Sequence, residues 1–467
     1  MRAGVFLENA RTLRYDSRNT FTEKGRDRTR MYKLVSKLVI YRNIGKDSIL
    51  FRMADICRDF DSGNYEPAHL TDRILDEVHE LMDISTAYGF DRNLWQSYLA
   101  YLIAMTENPF TLVSEKADHV DGTVNEFAMN DFAIFKKLFD YDFSEMEQSL
   151  GLNCFELITH YKAVPKKEQF FNRNVSVRVS KLSRDIDAAT SVEEMYDIVM
   201  EFYRHYGVGK FGMNRAFRIV VENGKPDIVP ITATSDVVLD DLVGYDRQKK
   251  QLTDNTEAFL NEQPANNVLL YGDAGTGKST SIKALLNLYY DRGLRMIEVY
   301  KHDFKYLPEI ISIIKSRNYR FIIYMDDLSF ESAETEYKYL KAVIEGDLEV
   351  RPDNVLIYAT SNRRHLIRES FSDRQETEAN DIHKNDTMAE KLSLSARFGV
   401  SIAYYKPAHQ EYHNIVKGLA ERTGIQMEEE ELLLLADRWA TRHGGESGRV
   451  AQQFINSLAG KAIAESE

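Results

Sequence analysis

The sequence predicts an α/β module with a parallel sheet and crossover helices, preceded by a large, mostly α-helical N-terminal region and followed by a C-terminal helical lid. Two changes of pattern support this fold class. From about Val237, short runs of β-branched and aromatic residues alternate with helical stretches, which is typical of a parallel sheet. Before that point, and again after Pro407, the pattern is mainly helical.

Four segments follow from these changes. They are the helical N-terminal region, a connecting helix with a β-hairpin, the α/β module and the lid, at residues 1–185, 186–236, 237–406 and 407–467. The hairpin is predicted in FRIVVENGKPDIVPI because Asn223-Gly224 lies between two apolar runs. Breaks near Gly424 and at Gly444-Gly445 divide the lid into three predicted helices.

Four short apolar runs supply the predicted strands of the parallel sheet. They are VLLYG (268–272), RMIEVY (295–300), RFIIYMDD (320–327) and NVLIYATSN (354–362). Helical stretches separate them, as crossover connections between parallel strands require.

Composition limits the partners of the protein. The net charge of −13 opposes non-specific binding to nucleic acid or anionic membrane. No secretory signal and no run of about 18 apolar residues occurs, so we expect a cytoplasmic protein without a membrane partner. Cys57 and Cys154 are isolated and are predicted to be buried. A basic cluster between Arg11 and Lys37 suits phosphate backbones, but a solvated face is the favoured interpretation because no nucleic-acid motif accompanies it.

The stretch YGDAGTGKST contains a complete G-x-x-x-x-G-K-[ST] motif between a predicted strand and a predicted helix. Its glycines let backbone N–H groups converge on phosphates at a helix N-terminus. Lys278 is predicted to neutralise the β- and γ-phosphate oxygens, and the Ser279 hydroxyl to ligate Mg²⁺. The predicted cofactors are therefore ATP and Mg²⁺, and the nucleotide-binding residues of this loop are Gly272, Asp273, Ala274, Gly275, Thr276, Gly277, Lys278, Ser279 and Thr280.

Two carboxylates end the apolar run RFIIYM. Asp326 and Asp327 lie at the carboxyl end of a central strand, the edge at which open α/β sheets bind ligands. Asp326 is predicted to hold Mg²⁺ together with Ser279, and Asp327 to orient or deprotonate the attacking water.

From about Val237 to the C-terminus these residues resemble the AAA+ ATPases. DDLVGYDRQKKQL is similar to the segment that packs on adenine in that family, which makes Leu242, Val243 and Gly244 candidate base contacts. The resemblance further implies a sensor-1 residue, an arginine finger and a sensor-2 residue, at Asn362, Arg397 and Arg449. More narrowly, RPDNVLIYATSNRRHL and EKLSLSARFGV resemble an uncharacterised bacterial AAA+ family filed as a domain of unknown function.

The resemblance implies a homo-oligomeric ring, with six subunits favoured, because the arginine finger of the family acts on a neighbouring subunit. It also implies an ATPase that remodels a client, either a protein or a nucleic acid. The alternative is a slow, ATP-gated adaptor or loader acting on DNA or on a DNA-bound complex. Arg363 and Arg364 lie beside the sensor and compete with Arg397 and Arg449 for their roles.

One residue departs from the family pattern. Most members carry Asp-Glu where this chain has Asp326-Asp327, so the catalytic carboxylate is one methylene shorter. Two outcomes stay open: slow hydrolysis, or a shifted end of the strand that brings Asp327 to the water.

A histidine pair in HQEYH has the i, i+4 spacing of a metal-binding helix. Glu411 is not adjacent to His409, as the metalloprotease motif requires, so His409 and His413 are interpreted as part of a surface helix face.

Overall fold

The computed structural model describes residues 30–115, 122–163, 173–331, 334–345, 352–364, 366 and 394–464. Most of the N-terminal basic cluster, from Arg11 to Arg28, lies outside this range. Within the described part of the chain, no helix has both the length and the hydrophobicity needed to cross a membrane. Cys57 and Cys154 are buried free thiols, as predicted.

The N-terminal region is helical and surrounds one hydrophobic core. Its helices are α1 Met31–Val35, α2 Ile49–Ser62, α3 Pro67–Tyr88, α4 Leu94–Met105, α5 Pro109–Ser114, α6 Thr123–Phe139, α7 Ser144–Leu150, α8 Cys154–Thr159, α9 Arg173–Ala188, α10 Val192–Tyr206 and α11 Gly209–Met213. A short 3₁₀ helix covers Ile40–Ile44. The Ser191 hydroxyl accepts a hydrogen bond from Glu194 N at 3.1 Å, which caps the start of α10.

The α/β module follows in the order expected for crossover connections. Its strands are β1 Ala216–Glu222, β2 Lys225–Pro230, β3 Val268–Gly272, β4 Leu294–Glu298, β5 Arg320–Met325, β6 Val355–Ser361 and β7 Val400–Tyr404. Its helices are α12 Asp246–Leu260, α13 Lys278–Tyr289, α14 Leu307–Ile314 and α15 Glu336–Glu345, with 3₁₀ helices at Leu239–Asp241 and Lys301–Tyr306.

The seven strands form one sheet in the order β2-β1-β4-β5-β6-β3-β7. All neighbours are parallel except β1 and β2. Along β5, Phe321 and Ile323 enter the core on one face, whereas Ile322 and Tyr324 enter the core on the other. Because both faces are covered, the strand is a continuous apolar run rather than an alternating one.

The hairpin of β1 and β2 has the predicted turn, with positive φ angles of 52° at Asn223 and 77° at Gly224. The sequence assigns it to a connecting segment, but β1 pairs in parallel with β4, with Ala216 opposite Met296. The hairpin therefore extends the sheet, and the predicted connecting segment contributes two of its strands.

Three helices follow β7, as predicted for the lid: α16 His409–Thr423, α17 Glu429–Arg442 and α18 Gly448–Ala464. Gly424 ends α16 with a left-handed φ of 70°, a conformation that glycine adopts at little cost. The three helices share a separate hydrophobic core.

A buried ionic junction joins the N-terminal helices to the sheet. Arg317, which follows α14, lies 2.6 Å from Glu107 Oε2 and 2.9 Å from Glu115 Oε1. The side chains of Arg317 and Glu115 are 7 % and 1 % exposed. At Gly207, a Cβ atom would lie 1.5 Å from the Tyr319 hydroxyl oxygen, so only glycine allows this approach. The two regions thus form a close, partly ionic contact.

Removal of one charge from this junction should destabilise the protein strongly. We expect Arg317→Met to lower the free energy of unfolding by about 3–5 kcal/mol, because the Glu115 carboxylate then stays buried without a cationic partner. Chemical denaturation followed by far-UV circular dichroism measures the loss. The matched control is Arg58→Met, whose pair with Asp55 is 2.8 Å long and 55 % exposed on each side; it should cost less than about 1 kcal/mol. Equal losses in both variants would contradict the assignment.

Candidate nucleotide-binding site

A cleft of about 670 Å³ lies between the lid and the carboxyl ends of β3, β5 and β6. Residues from four parts of the α/β module and two lid helices line it: Asp241, Leu242, Val243, Tyr245, Ala274, Gly275, Thr276, Gly277, Lys278, Ser279, Thr280, Asp326, Asp327, Thr360, Asn362, Ile415, Leu419, Gly448, Arg449, Gln452 and Gln453. Most of the predicted site residues therefore meet in one place. Gly244, Gly272, Asp273 and Arg397 are not among the lining residues.

The loop between β3 and α13 needs glycine at positions that touch other parts of the fold. Gly277 has a φ of 90°, and a Cβ atom there would lie 2.3 Å from a methyl carbon of Leu242. Gly272 has a φ of 129°, and its Cβ would lie 2.0 Å from the Tyr404 carbonyl oxygen. Larger residues would therefore displace the loop from β7 and from the predicted base-binding segment.

Asp273 also anchors the loop, through contacts with the end of β7. Its backbone N–H donates to the Tyr404 carbonyl at 2.8 Å, and its Oδ2 accepts from Lys406 N at 2.8 Å. Gly272 and Asp273 thus fix the loop to the end of β7, whereas Ala274 to Thr280 face the cleft.

The Lys278 ammonium group reaches back over the loop. Its Nζ donates to the carbonyls of Gly272 and Asp273 at 3.0 and 2.7 Å, and to Asn362 Oδ1 at 3.1 Å. Burial lowers the pKa of Lys278, although the nearby carboxylates of Asp327, Asp273 and Asp326 act in the opposite direction. The loop carbonyls therefore hold the Lys278 ammonium group, which is the cation that the motif predicts to contact phosphate oxygens.

Asp326 and Ser279 lie side by side at the base of the cleft. Asp326 Oδ1 accepts hydrogen bonds from the Ser279 hydroxyl and from the Thr360 hydroxyl, each at 2.6 Å. Burial alone would raise the pKa of Asp326, but these hydrogen bonds outweigh it, so the pKa lies below its usual range. The carboxylate is therefore ionised and carries oxygen ligands of the kind that Mg²⁺ prefers.

Asp327 lies directly after β5 in a left-handed conformation with a φ of 50°, which Asp tolerates better than most residues. Its Oδ1 accepts from Asn362 Nδ2 at 2.7 Å, and its backbone N–H donates to Thr360 Oγ1 at 2.9 Å. The turn thus brings the Asp327 carboxylate into contact with Asn362, the predicted sensor.

Thr360 is a site residue that sequence reasoning missed. Its hydroxyl contacts both Asp326 and the backbone of Asp327 and so couples the two carboxylates to β6. Its place in ATSN, two residues before Asn362, was the available signal, because residues at i and i+2 of a strand point to the same face.

The predicted base-binding segment lines the cleft only in part. Leu242 and Val243 line it, as does the neighbouring Tyr245, whereas Gly244 does not. Ile415 and Leu419 of α16 face the same space from the lid. These lid residues were not predicted, because the relative position of lid and sheet is a tertiary property.

The four candidate arginines lie in different environments. Arg449, at the start of α18, lines the cleft, and its backbone N–H donates to the Gly275 carbonyl at 3.1 Å. Arg363 and Arg364 are exposed and do not line the cleft, and the Arg364 guanidinium lies 5.9 Å from the Tyr271 ring centre. Arg397 is half-buried, in a turn that is fixed by the buried side chains of Leu394 and Phe398.

Arg397 lies at the edge of the sheet opposite to the cleft. In the parallel pairing of β3 and β7, Gly272 is opposite Tyr404 and Val268 is opposite Val400. Arg397 precedes Val400, so it lies beyond the amino end of a strand that spans about 13 Å. Arg397 therefore lies at the edge of the sheet away from the cleft and is not among the residues that line it.

The glycine-rich loop, the carboxylates after β5 and the lid arginine over one mostly parallel sheet define a P-loop module of AAA+ type. The chain belongs to the family described as a protein of unknown function, DUF815, whose model matches residues 213–462. A search of curated proteins finds no match.

Solved structures give partial alignments. One is the Holliday junction branch migration motor RuvB of Thermotoga maritima, at 17% identity and a TM-score of 0.32, covering 47% of this chain and 63% of that chain. Another is the AAA domain of FIGL-1 in complex with ADP, at 16% identity and a TM-score of 0.35, covering 50% and 76%. Likeness at this level says nothing about what this chain acts on.

Proposed function

We propose that the protein binds ATP with Mg²⁺, hydrolyses it as a homo-oligomeric ring, and uses the nucleotide cycle to remodel a client bound by the helical N-terminal region. One observation carries the proposal. Lys278, Ser279, Asp326, Asp327 and Asn362 meet in one cleft, linked by hydrogen bonds of 2.6–3.1 Å. This is the set of groups that phosphoryl transfer requires.

The residues of the cleft suit the two groups that the proposal needs. The glycine-lined loop at the start of α13 offers backbone N–H groups to phosphates, and a Cβ at Gly277 would collide with Leu242. Ser279 and the ionised Asp326 would hold Mg²⁺, which would neutralise charge on the β- and γ-phosphate oxygens. Leu242, Val243 and Ile415 offer apolar surface to the adenine.

Each polar residue then has a role in hydrolysis. Lys278 would exchange its loop carbonyls for phosphate oxygens, and Arg449 would reach the phosphates from the lid. Asp327, oriented by Asn362, would accept a proton from water as the water oxygen bonds to the γ-phosphorus. The bond between that phosphorus and the bridging oxygen breaks, and ADP and phosphate leave.

Arg397 supports the proposed ring. An arginine at the edge opposite to the cleft cannot serve its own nucleotide, but a neighbouring subunit placed head to tail would bring it to the next cleft. The active site would then be complete only on assembly, and loss of the γ-phosphate would release the contact between neighbours.

A charge-removing variant at the loop tests nucleotide binding. We expect Lys278→Ala to weaken ATP affinity about 10–150-fold, because the loss of one charge-assisted hydrogen bond costs about 1.5–3 kcal/mol. Isothermal titration calorimetry with ATP and Mg²⁺ measures the change. The control is Lys250→Ala, an exposed residue of α12 outside the lining of the cleft, which should bind ATP normally. No measurable affinity of the unmodified protein for ATP would overturn the proposal.

A further inference from the structure

A cluster of histidines and carboxylates lies in the lid, separate from the nucleotide residues. His409 and His413, one turn apart at the start of α16, have ring centres 4.1 Å apart. Asp437 of α17 faces both: its Oδ1 is 2.9 Å from His413 Nε2, and its Oδ2 is 4.0 Å from His409 Nε2. One potential ligand atom from each of these three residues lies within 4.8 Å of the other two.

These distances are close to those of an occupied metal site. A tetrahedral Zn²⁺ with bonds of about 2.0–2.2 Å has its ligand atoms about 3.3–3.6 Å apart. This separation lies between the distances from His413 Nε2 to Asp437 Oδ1 and from His409 Nε2 to Asp437 Oδ2. His409 is 60 % exposed and Asp437 is 36 % exposed, so small side-chain rotations can bring the ligand atoms together.

Glu446 adds an independent feature of metal sites. Its Oε1 lies 2.6 Å from His409 Nδ1, so this nitrogen donates to the carboxylate. The other nitrogen, Nε2, is left facing Asp437. Metal-binding histidines are commonly oriented by a carboxylate in this way, which fixes the tautomer and makes the coordinating nitrogen more basic.

We propose that His409, His413 and Asp437 bind Zn²⁺, with Glu446 as the positioning residue of His409. Two imidazoles and one carboxylate are a ligand set that zinc accepts, with water in the fourth position. The sequence interpretation of HQEYH as a surface helix face lacked the third ligand, because Asp437 lies on a different helix.

The position of the site suggests what the metal does. It would tie α16 to α17 and, through Glu446, to the segment before α18. Leu419 on α16 and Arg449 on α18 both line the nucleotide cleft. Zinc would therefore fix the lid in the arrangement that presents these residues to a nucleotide, and would raise the unfolding temperature of the protein.

Cobalt substitution gives a readout that does not depend on ATPase activity. We expect tag-free, chelator-treated protein to bind one equivalent of Co²⁺ in excess Mg²⁺, with the strong visible absorption of four-coordinate cobalt, and one equivalent of Zn²⁺ to abolish that absorption. The excess Mg²⁺ occupies oxygen sites such as Ser279 with Asp326, so failure of this site is distinct from failure of the nucleotide site. If the bound cobalt is exclusively octahedral and absorbs weakly, the proposal is overturned.

Variants assign the ligands. His413→Gln and Asp437→Asn should lose the four-coordinate spectrum, as should His409→Gln, which replaces an exposed side chain and so leaves folding intact. Glu446→Gln should weaken binding about 10–100-fold. The matched control is His205→Gln, since His205 lies 3.4 Å from Glu201 in a simple histidine–glutamate pair. Unchanged spectra in the ligand variants would overturn the site, and unchanged affinity in Glu446→Gln would overturn its positioning role.

Discussion

Arg397→Ala should lower the rate of ATP hydrolysis by about 10³–10⁵-fold while ATP still binds, because an arginine that stabilises charge on the γ-phosphate acts mainly in the transition state. The cleft that binds ATP does not include Arg397, so the affinity of the chain for ATP should stay close to that of the unmodified protein. Steady-state phosphate release and equilibrium binding of a fluorescent ATP analogue measure the two properties separately.

A mixing experiment shows whether the arginine acts between subunits. Arg397→Ala has an intact cleft but lacks the arginine, and Asp327→Asn has an intact Arg397 but lacks the proton acceptor. Each variant alone should therefore be inactive. In a mixed oligomer, some clefts of the first variant face an arginine of the second, and activity should return. An inactive mixture would contradict the action in trans.

The neighbouring arginines provide the control. Arg363 and Arg364 are exposed beside the sensor, and their loss should change the hydrolysis rate little. If Arg363→Ala loses most of its hydrolysis rate while Arg397→Ala hydrolyses ATP normally, Arg363 rather than Arg397 is the arginine finger.

The sequence was informative where a local pattern determines the structure. The run FIIYM is apolar throughout because both faces of β5 are covered, and the sequence alone predicts this burial. The glycines of the loop could also be recognised from the sequence. The backbone conformation at Gly277 excludes other residues, so glycine recurs at a fixed place in the motif. Strand, loop and helix in this order predict the site at the carboxyl edge of the sheet.

Contacts between distant parts of the chain were not predictable in the same way. The Arg317–Glu115 ion pair joins residues 202 positions apart, and neither residue belongs to a local pattern. The contacts of Thr360 with Asp326 and of Asp437 with His413 were not predicted, because each joins residues on different elements. The pairing of β1 with β4 was missed because a hairpin signal says nothing about the next strand in a sheet.

Asp327→Asn should lower the rate of hydrolysis by about 10²–10⁴-fold and leave ATP binding intact or tighter. The change removes the proton acceptor but keeps the size of the side chain. Asn also tolerates the left-handed backbone at this position, where φ is 50°, so the turn after β5 should persist. Single-turnover hydrolysis and ATP affinity measure the separation of chemistry from binding.

Asp326→Asn is the matched control, since it makes the same change from carboxylate to amide at the adjacent residue. It should weaken Mg²⁺-dependent ATP binding, because Asp326 rather than Asp327 contacts the Ser279 hydroxyl. If Asp327→Asn hydrolyses ATP at a normal rate, the proton acceptor lies elsewhere in the cleft.

Asp327→Glu decides whether the shorter carboxylate limits the rate. Most AAA+ members carry glutamate at this position, so a simple deficit in reach predicts faster hydrolysis in the variant. The structure predicts no such increase: Asp327 already contacts Asn362 at 2.7 Å, and glutamate in the left-handed turn costs about 1–2 kcal/mol. We therefore expect no gain in rate and a lower unfolding temperature. A rate increase would mean that the turn after β5 does not compensate for the missing methylene.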